Sequence, residues 1–145
     1  MRNIAVKAVV DVLGALVNLT LRDSLYLFDS NRAHGSQGLG TSELSTAVRK
    51  GDNIDWLTAP LSCETFVEIS GISIPPDICR LEQRTFPGTN IRYWTGTVLR
   101  DIDLLPYSLT FALGPTGMKM VTENGPRLIG QKSDTNKATK GRKQV

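Results

Sequence analysis

The chain has 145 residues, is 40% hydrophobic and 21% charged, and carries a formal net charge of +3. That describes one ordinary globular domain, large enough to bury a core without a metal or disulfide staple, and leaves little room for two. The positive charge sits at one end: residues 131–145 hold five of the 17 cations and one of the 14 anions, so residues 1–130 carry 12 cations and 13 anions, a formal −1, and composition gives no sign of a nucleic-acid-binding face on the body of the chain.

In chain order the dominant signal is short strands separated by turn residues. Residues 3–13 are rich in Val, Ile and Ala, and Ile4, Val6, Ala8 and Val10 share one face if the segment is extended. Lys7 and Asp11 interrupt the apolar run that a signal peptide needs, and no stretch approaches the roughly 18 apolar residues of a membrane helix. A soluble, cytoplasmic protein is expected; unconventional export would leave no mark in the sequence. Val17, Leu19 and Leu21 alternate with Asn18, Thr20 and Arg22, which predicts a second strand, and Leu25–Phe28 form a third before the turn cluster Asp29-Ser30-Asn31. Residues 30–42 contain Gly35, Gly38 and Gly40 among polar residues and read as a flexible loop. The only helix candidate is a turn near Thr41-Ser42-Glu43.

Leu44, Thr46 and Val48 then alternate with polar residues, Lys50-Gly51-Asp52 makes a tight turn, and Ile54 and Trp56 share a face of the next strand. A glycine turn between two runs of period two predicts a β-hairpin. Residues 63–74 read as a strand that Pro75-Pro76-Asp77 stops. Residues 91–99 alternate again, and Tyr107, Leu109, Phe111 and Leu113 give the clearest strand in the chain. Met118–Val121 and Arg127–Ile129 are expected as edge strands. Seven to nine such segments with no βαβ rhythm predict an all-β protein, a single antiparallel β-sandwich of immunoglobulin-like or related type over residues 1–130. Residues 131–145 hold almost nothing to bury and are expected to form a disordered basic tail.

The residues suited to catalysis are few. His34 is the single histidine and lies in the glycine-rich loop beside Arg32; a lone loop imidazole is more often solvated than catalytic. No G-x-S-x-G elbow is present, and the loop Gly35–Thr41 lacks the Lys-Ser/Thr ending of a phosphate-binding loop. Cys63 and Cys79 form no C-x-x-C pair and read as two thiols of a reducing compartment, their pairing left open. One histidine cannot build a blue-copper or common zinc site, and the aspartates follow no EF-hand spacing. No catalytic residue, cofactor or metal is therefore expected. Tyr93 and Trp94 are adjacent in a strand, so they point to opposite faces; one belongs to the core and the other is a candidate contact residue. Tyr93, Trp94, Arg32 and His34 are the candidate binding surface.

Several segments carry a family resemblance. Asp23–Asn31, the glycine-rich loop with Gly40–Leu44, Val48-x-Lys50-Gly51-Asp52-x-Ile54-x-Trp56, Leu61-x-Cys63-Glu64-x-Phe66 and Tyr93–Val98 together resemble the PixA/AidA inclusion-body proteins. They also resemble small β-rich accessory proteins encoded beside tripartite α-pore-forming toxins of the Mak type. The resemblance spans roughly residues 4–130 through the order of segments. It implies a β-sandwich without a catalytic centre, and it carries over no catalytic residue. The expected function is that of a non-enzymatic accessory or interaction protein of a bacterial pore-forming toxin system, with a protein partner or a second copy as its contact. The alternative is a lipid- or glycan-binding module. Nucleic acid is expected to meet only weak tail contacts, and membrane binding is left open.

Overall fold

The computed structural model describes residues 2–62 and 65–131. Cys63, Glu64 and the expected tail from Lys132 onward lie outside them. The elements in order are β1 (Asn3–Val10), α1 (Val12–Asn18), β2 (Leu25–Asp29), a 3-10 turn (Arg32–His34), β3 (Ser45–Val48), β4 (Asn53–Pro60) and β5 (Val67–Ser73). They continue with β6 (Cys79–Thr85), β7 (Arg92–Val98), β8 (Leu104–Pro106), β9 (Ser108–Leu113), β10 (Met118–Val121) and β11 (Arg127–Gly130).

The protein is strand-rich, as the alternation predicts, but the pairing differs from a single antiparallel sandwich. A five-stranded sheet runs β2-β1-β4-β7-β6, and two three-stranded sheets run β10-β9-β5 and β3-β11-β8. Two pairs are parallel: β1 with β4, in register from Asn3↔Asn53 to Val10↔Pro60, and β11 with β3. Parallel neighbours need a long crossover, and residues 11–52 supply one between β1 and β4. Alternation along a strand reports which face is buried and is silent about the direction of its neighbour.

The expected hairpin across Lys50-Gly51-Asp52 is a corner instead. The turn forms, with the Asp52 N–H donating to the Arg49 carbonyl at 3.1 Å. The strands it joins then part into different sheets, β3 beside β11 and β4 between β1 and β7. Asp52 is 3% exposed and fixes the corner. Its carboxylate accepts the Arg49 N–H at 2.8 Å and receives Arg2 Nε and Nη2 at 3.2 and 2.6 Å. This ties the corner to the start of β1. Asp52→Ala is expected to cost about 2 kcal/mol, below the range for a fully buried pair because the Arg2 side chain is a quarter exposed. The midpoint of urea unfolding measures this, and an unchanged midpoint would show that the turn holds without the carboxylate.

The strand expected over Val17–Leu21 is also replaced. The chain turns helical at Val12, where Asp11 caps the new helix by accepting the Gly14 N–H at 3.0 Å. Gly14 is required by space: a Cβ there would lie 2.5 Å from Asp11 Oδ2 and 3.0 Å from Ser24 Oγ. Leu19 ends the helix in the left-handed region at φ 57°. Only Val12 and Ala15 are buried, so α1 lacks the wide apolar stripe by which helices declare themselves in sequence.

The glycine-rich loop is a fixed connection held at two β-bridges, Leu27↔Thr41 and Gln37↔Ser45, with Gly35, Gly38 and Gly40 at positive φ. Strands β6 and β8 were not anticipated. β6 is an edge strand with Arg80, Glu82 and Arg84 exposed, and β8 has three residues. β10 is an edge, as expected, whereas β11 runs between β3 and β8.

One apolar core joins the three sheets. It takes Ile4, Val6, Ala8 and Val10 from β1, Ile54 and Trp56 from β4, Val67 and Ile69 from β5, Leu109, Phe111 and Leu113 from β9, and Leu128 from β11. At its centre Trp56 Nε1 donates to the Tyr107 hydroxyl at 3.1 Å, with the rings edge to face at 6.1 Å. Gly96 lets β7 approach this ring, since a Cβ there would stand 2.7 Å from Cys79 Sγ and 3.0 Å from Trp56. Cys79 is a buried free thiol.

Candidate functional site

The four residues proposed from sequence do not form one surface. Arg32 and His34 are exposed on the 3-10 turn that follows β2. Tyr93 and Trp94 take opposite faces of β7, as alternation requires. Trp94 turns inward, and its Nε1 donates to the Ile69 carbonyl of β5 at 2.8 Å. It is a structural link between sheets. Tyr93 turns outward and stacks on Phe86 with centroids 4.4 Å apart and planes at 27°. It is partly buried there, not free on the surface.

One open depression, about 660 Å³, is lined by Glu43, Tyr107, Thr122, Asn124 and Arg127 among others. A second, about 360 Å³, adjoins it across Glu43, Thr122 and Asn124. Both are polar. Glu43 is engaged by Arg127 at 3.7 Å, and the Thr122 hydroxyl accepts the Leu109 N–H at 3.0 Å, so these groups hold loops to the sheet. Burial pushes the Cys79 thiol up to about 11, opposite to the shift that activates a nucleophile. Burial likewise raises the Tyr107 phenol, outweighing the Trp56 hydrogen bond that lowers it. Among the described residues no group of three or more His, Cys, Asp or Glu is placed to hold a metal ion, and no helix is long and apolar enough to cross a membrane.

A different feature stands out at the end of the fold where α1 lies. Among the described residues thirteen large apolar side chains are exposed, and six of them, Leu13, Val17, Leu19, Leu61, Phe66 and Met118, lie on segments that meet there. Backbone contacts bring them together. Leu61 N–H donates to the Val10 carbonyl at 2.8 Å, just before α1 begins. Gly114 N–H donates to the Phe66 carbonyl at 2.9 Å, and a Cβ on Gly114 would stand 3.3 Å from Leu16 Cδ1. Gly117 N–H closes the same turn onto the Gly114 carbonyl at 3.1 Å, and Met118 follows it, paired with Leu113.

The described segments that meet here, residues 12–21, 56–62 and 111–118, contain no charged side chain in a chain that is 21% charged. Val17 is 81% exposed and Leu19 71%. Sequence reasoning missed this surface because it is assembled from distant segments. Its signal was there as three uncharged stretches, each of which reads alone as ordinary core.

The fold is similar to that of an inclusion body protein, PixA, from Burkholderia cenocepacia J2315, known from a crystal structure. The match has a TM-score of 0.61 and 11% sequence identity, and covers 89% of this chain and 94% of the other. At that identity the likeness is one of fold, and at that level the expected likeness to inclusion-body proteins holds. No curated protein matches the sequence. Residues 2–120 match a family model described as a domain of unknown function, DUF8788. With most of its length inside that match, the chain belongs to the DUF8788 family.

Proposed function

We propose that the protein is a non-enzymatic interaction protein whose contact surface is the apolar end around α1. The observation that carries this reading is the gathering of six exposed apolar side chains on described segments without charge. Apolar residues exposed singly are ordinary, whereas several on segments that meet mark a contact site. The depletion of charge is the compositional mark of the centre of a protein–protein contact. The rest of the site chemistry supports a role without turnover: the single histidine is exposed on a turn, and the Cys79 thiol is buried with its ionisation suppressed. An accessory role beside a tripartite pore-forming toxin rests on the sequence resemblance. The alternative, a lipid or glycan module using Tyr93 and Trp94, is weakened because Trp94 is engaged with Ile69.

The test places charge on the surface without touching the core. Wild-type protein and a Leu13→Lys/Val17→Lys variant are used to capture proteins from the native host, with quantification by mass spectrometry. Both side chains point to solvent, so folding should be kept. Partners retained by the wild type should fall by roughly tenfold or more with the variant. Equal retention by both proteins would remove this end as the contact surface.

A further inference from the structure

We infer that the occupant of the apolar end is a second copy of this chain, pairing α1 against α1 about a two-fold axis. The inference rests on the reading of this end as a contact surface and names its partner.

Three observations select that partner. First, the described residues of the surface carry no charge. These segments of two copies can therefore meet without opposing like charges, the cost that usually stops a surface from pairing with itself. Second, the surface is poorly suited to a bilayer. Lipid-seeking helices pair an apolar face with Lys or Arg and are flanked by Trp or Tyr at the interface. Residues 12–21 contain none of these, and α1 has seven residues with no basic group in its last turn. Third, the area fits a weak symmetric contact. Six apolar residues at these exposures present on the order of 500 Å² per copy, the upper range of what a monomer leaves uncovered. A stable contact uses about 800 Å² per partner, so this one should be reversible, with a dissociation constant on the order of tens of micromolar. Val17, the most exposed of the six, is placed near the axis.

The experiment is sedimentation equilibrium on the full chain, from about 5 to 500 µM to bracket that constant. The wild type should pass from the monomer mass toward twice that mass across the range. Val17→Glu and Val17→Lys should each remain monomeric, because like charges would then face each other across the axis. An equimolar mixture of the two variants should recover the dimer mass, which a random loss of stickiness would not produce. A wild type that stays monomeric throughout, or a Val17→Glu protein that dimerises as the wild type does, overturns the inference. If the wild type is monomeric yet captured host proteins are still lost with Leu13→Lys/Val17→Lys, a different protein occupies the end, and the function proposed above stands without self-pairing. Wild-type co-sedimentation with phosphatidylcholine vesicles, abolished by Val17→Glu, would overturn both readings.

Discussion

Trp56→Ala is expected to bring the protein close to unfolding at room temperature. The side chain is 1% exposed and is the largest in the core. Removing a buried Trp costs about 3–5 kcal/mol through lost transfer energy and the cavity left behind. The change also removes the donor to the Tyr107 hydroxyl, which is itself fully enclosed. Against a total of about 5–15 kcal/mol for a domain, little would remain. Thermal unfolding should fall by about 15 °C or more. Tyr107→Phe keeps the ring and deletes its oxygen, leaving Trp56 Nε1 without its acceptor, and should cost about 1–3 kcal/mol. If Trp56→Ala lowered stability by less than about 1 kcal/mol, the centre assigned to the core would be wrong.

The second large effect is a loss of stability in alkali. Burial pushes the Cys79 thiol from its ordinary 9.0 to about 11. The folded state therefore keeps its proton where the unfolded chain has released it. The stability due to this group is fully present below pH 9 and is lost as pH rises toward 11. Two units correspond to about 2–3 kcal/mol. The Tyr107 phenol, raised above 10.0 mainly by burial, adds a further loss above that pH. Urea midpoints should be level from pH 7 to 8.5 and then decline steeply. Cys79→Ala should start lower, since a packed side chain is gone, and decline less between pH 9 and 10. A wild-type midpoint at pH 10.5 equal to that at pH 8 would contradict the enclosure of both groups.

The comparison of sequence with structure separates local from distant information. Ile4–Val10 and Tyr107–Leu113 were legible because a half-buried strand writes its two faces in alternating residues. The same rule placed Tyr93 and Trp94 on opposite faces, although which face met the core depended on β5. α1 was hidden by its brevity and by Val17-Asn18-Leu19-Thr20, which happen to alternate. The hairpin at Lys50-Gly51-Asp52 failed for a different reason. A turn sets the direction of the chain, but β3 and β4 found their partners among strands far away in sequence. β6 was obscured by the charges that protect an edge. The apolar end was the least legible part, since none of its segments is unusual until the fold sets them side by side.

The parallel pairing of β3 with β11 also governs the order in which the protein can be made. Thr46 lies beside Leu128, and the same strand β11 separates β3 from β8. During synthesis β3 leaves the ribosome long before the strand that completes its sheet. The backbone groups of β3 that face β11 must wait until residues 127–130 are made, and so must those of β8. Native structure in this sheet therefore cannot form co-translationally from the amino-terminal half, and folding of the domain should be slow for its size. Until β11 arrives, the nascent chain exposes an incomplete sheet, the state in which strand-rich proteins are most prone to aggregate.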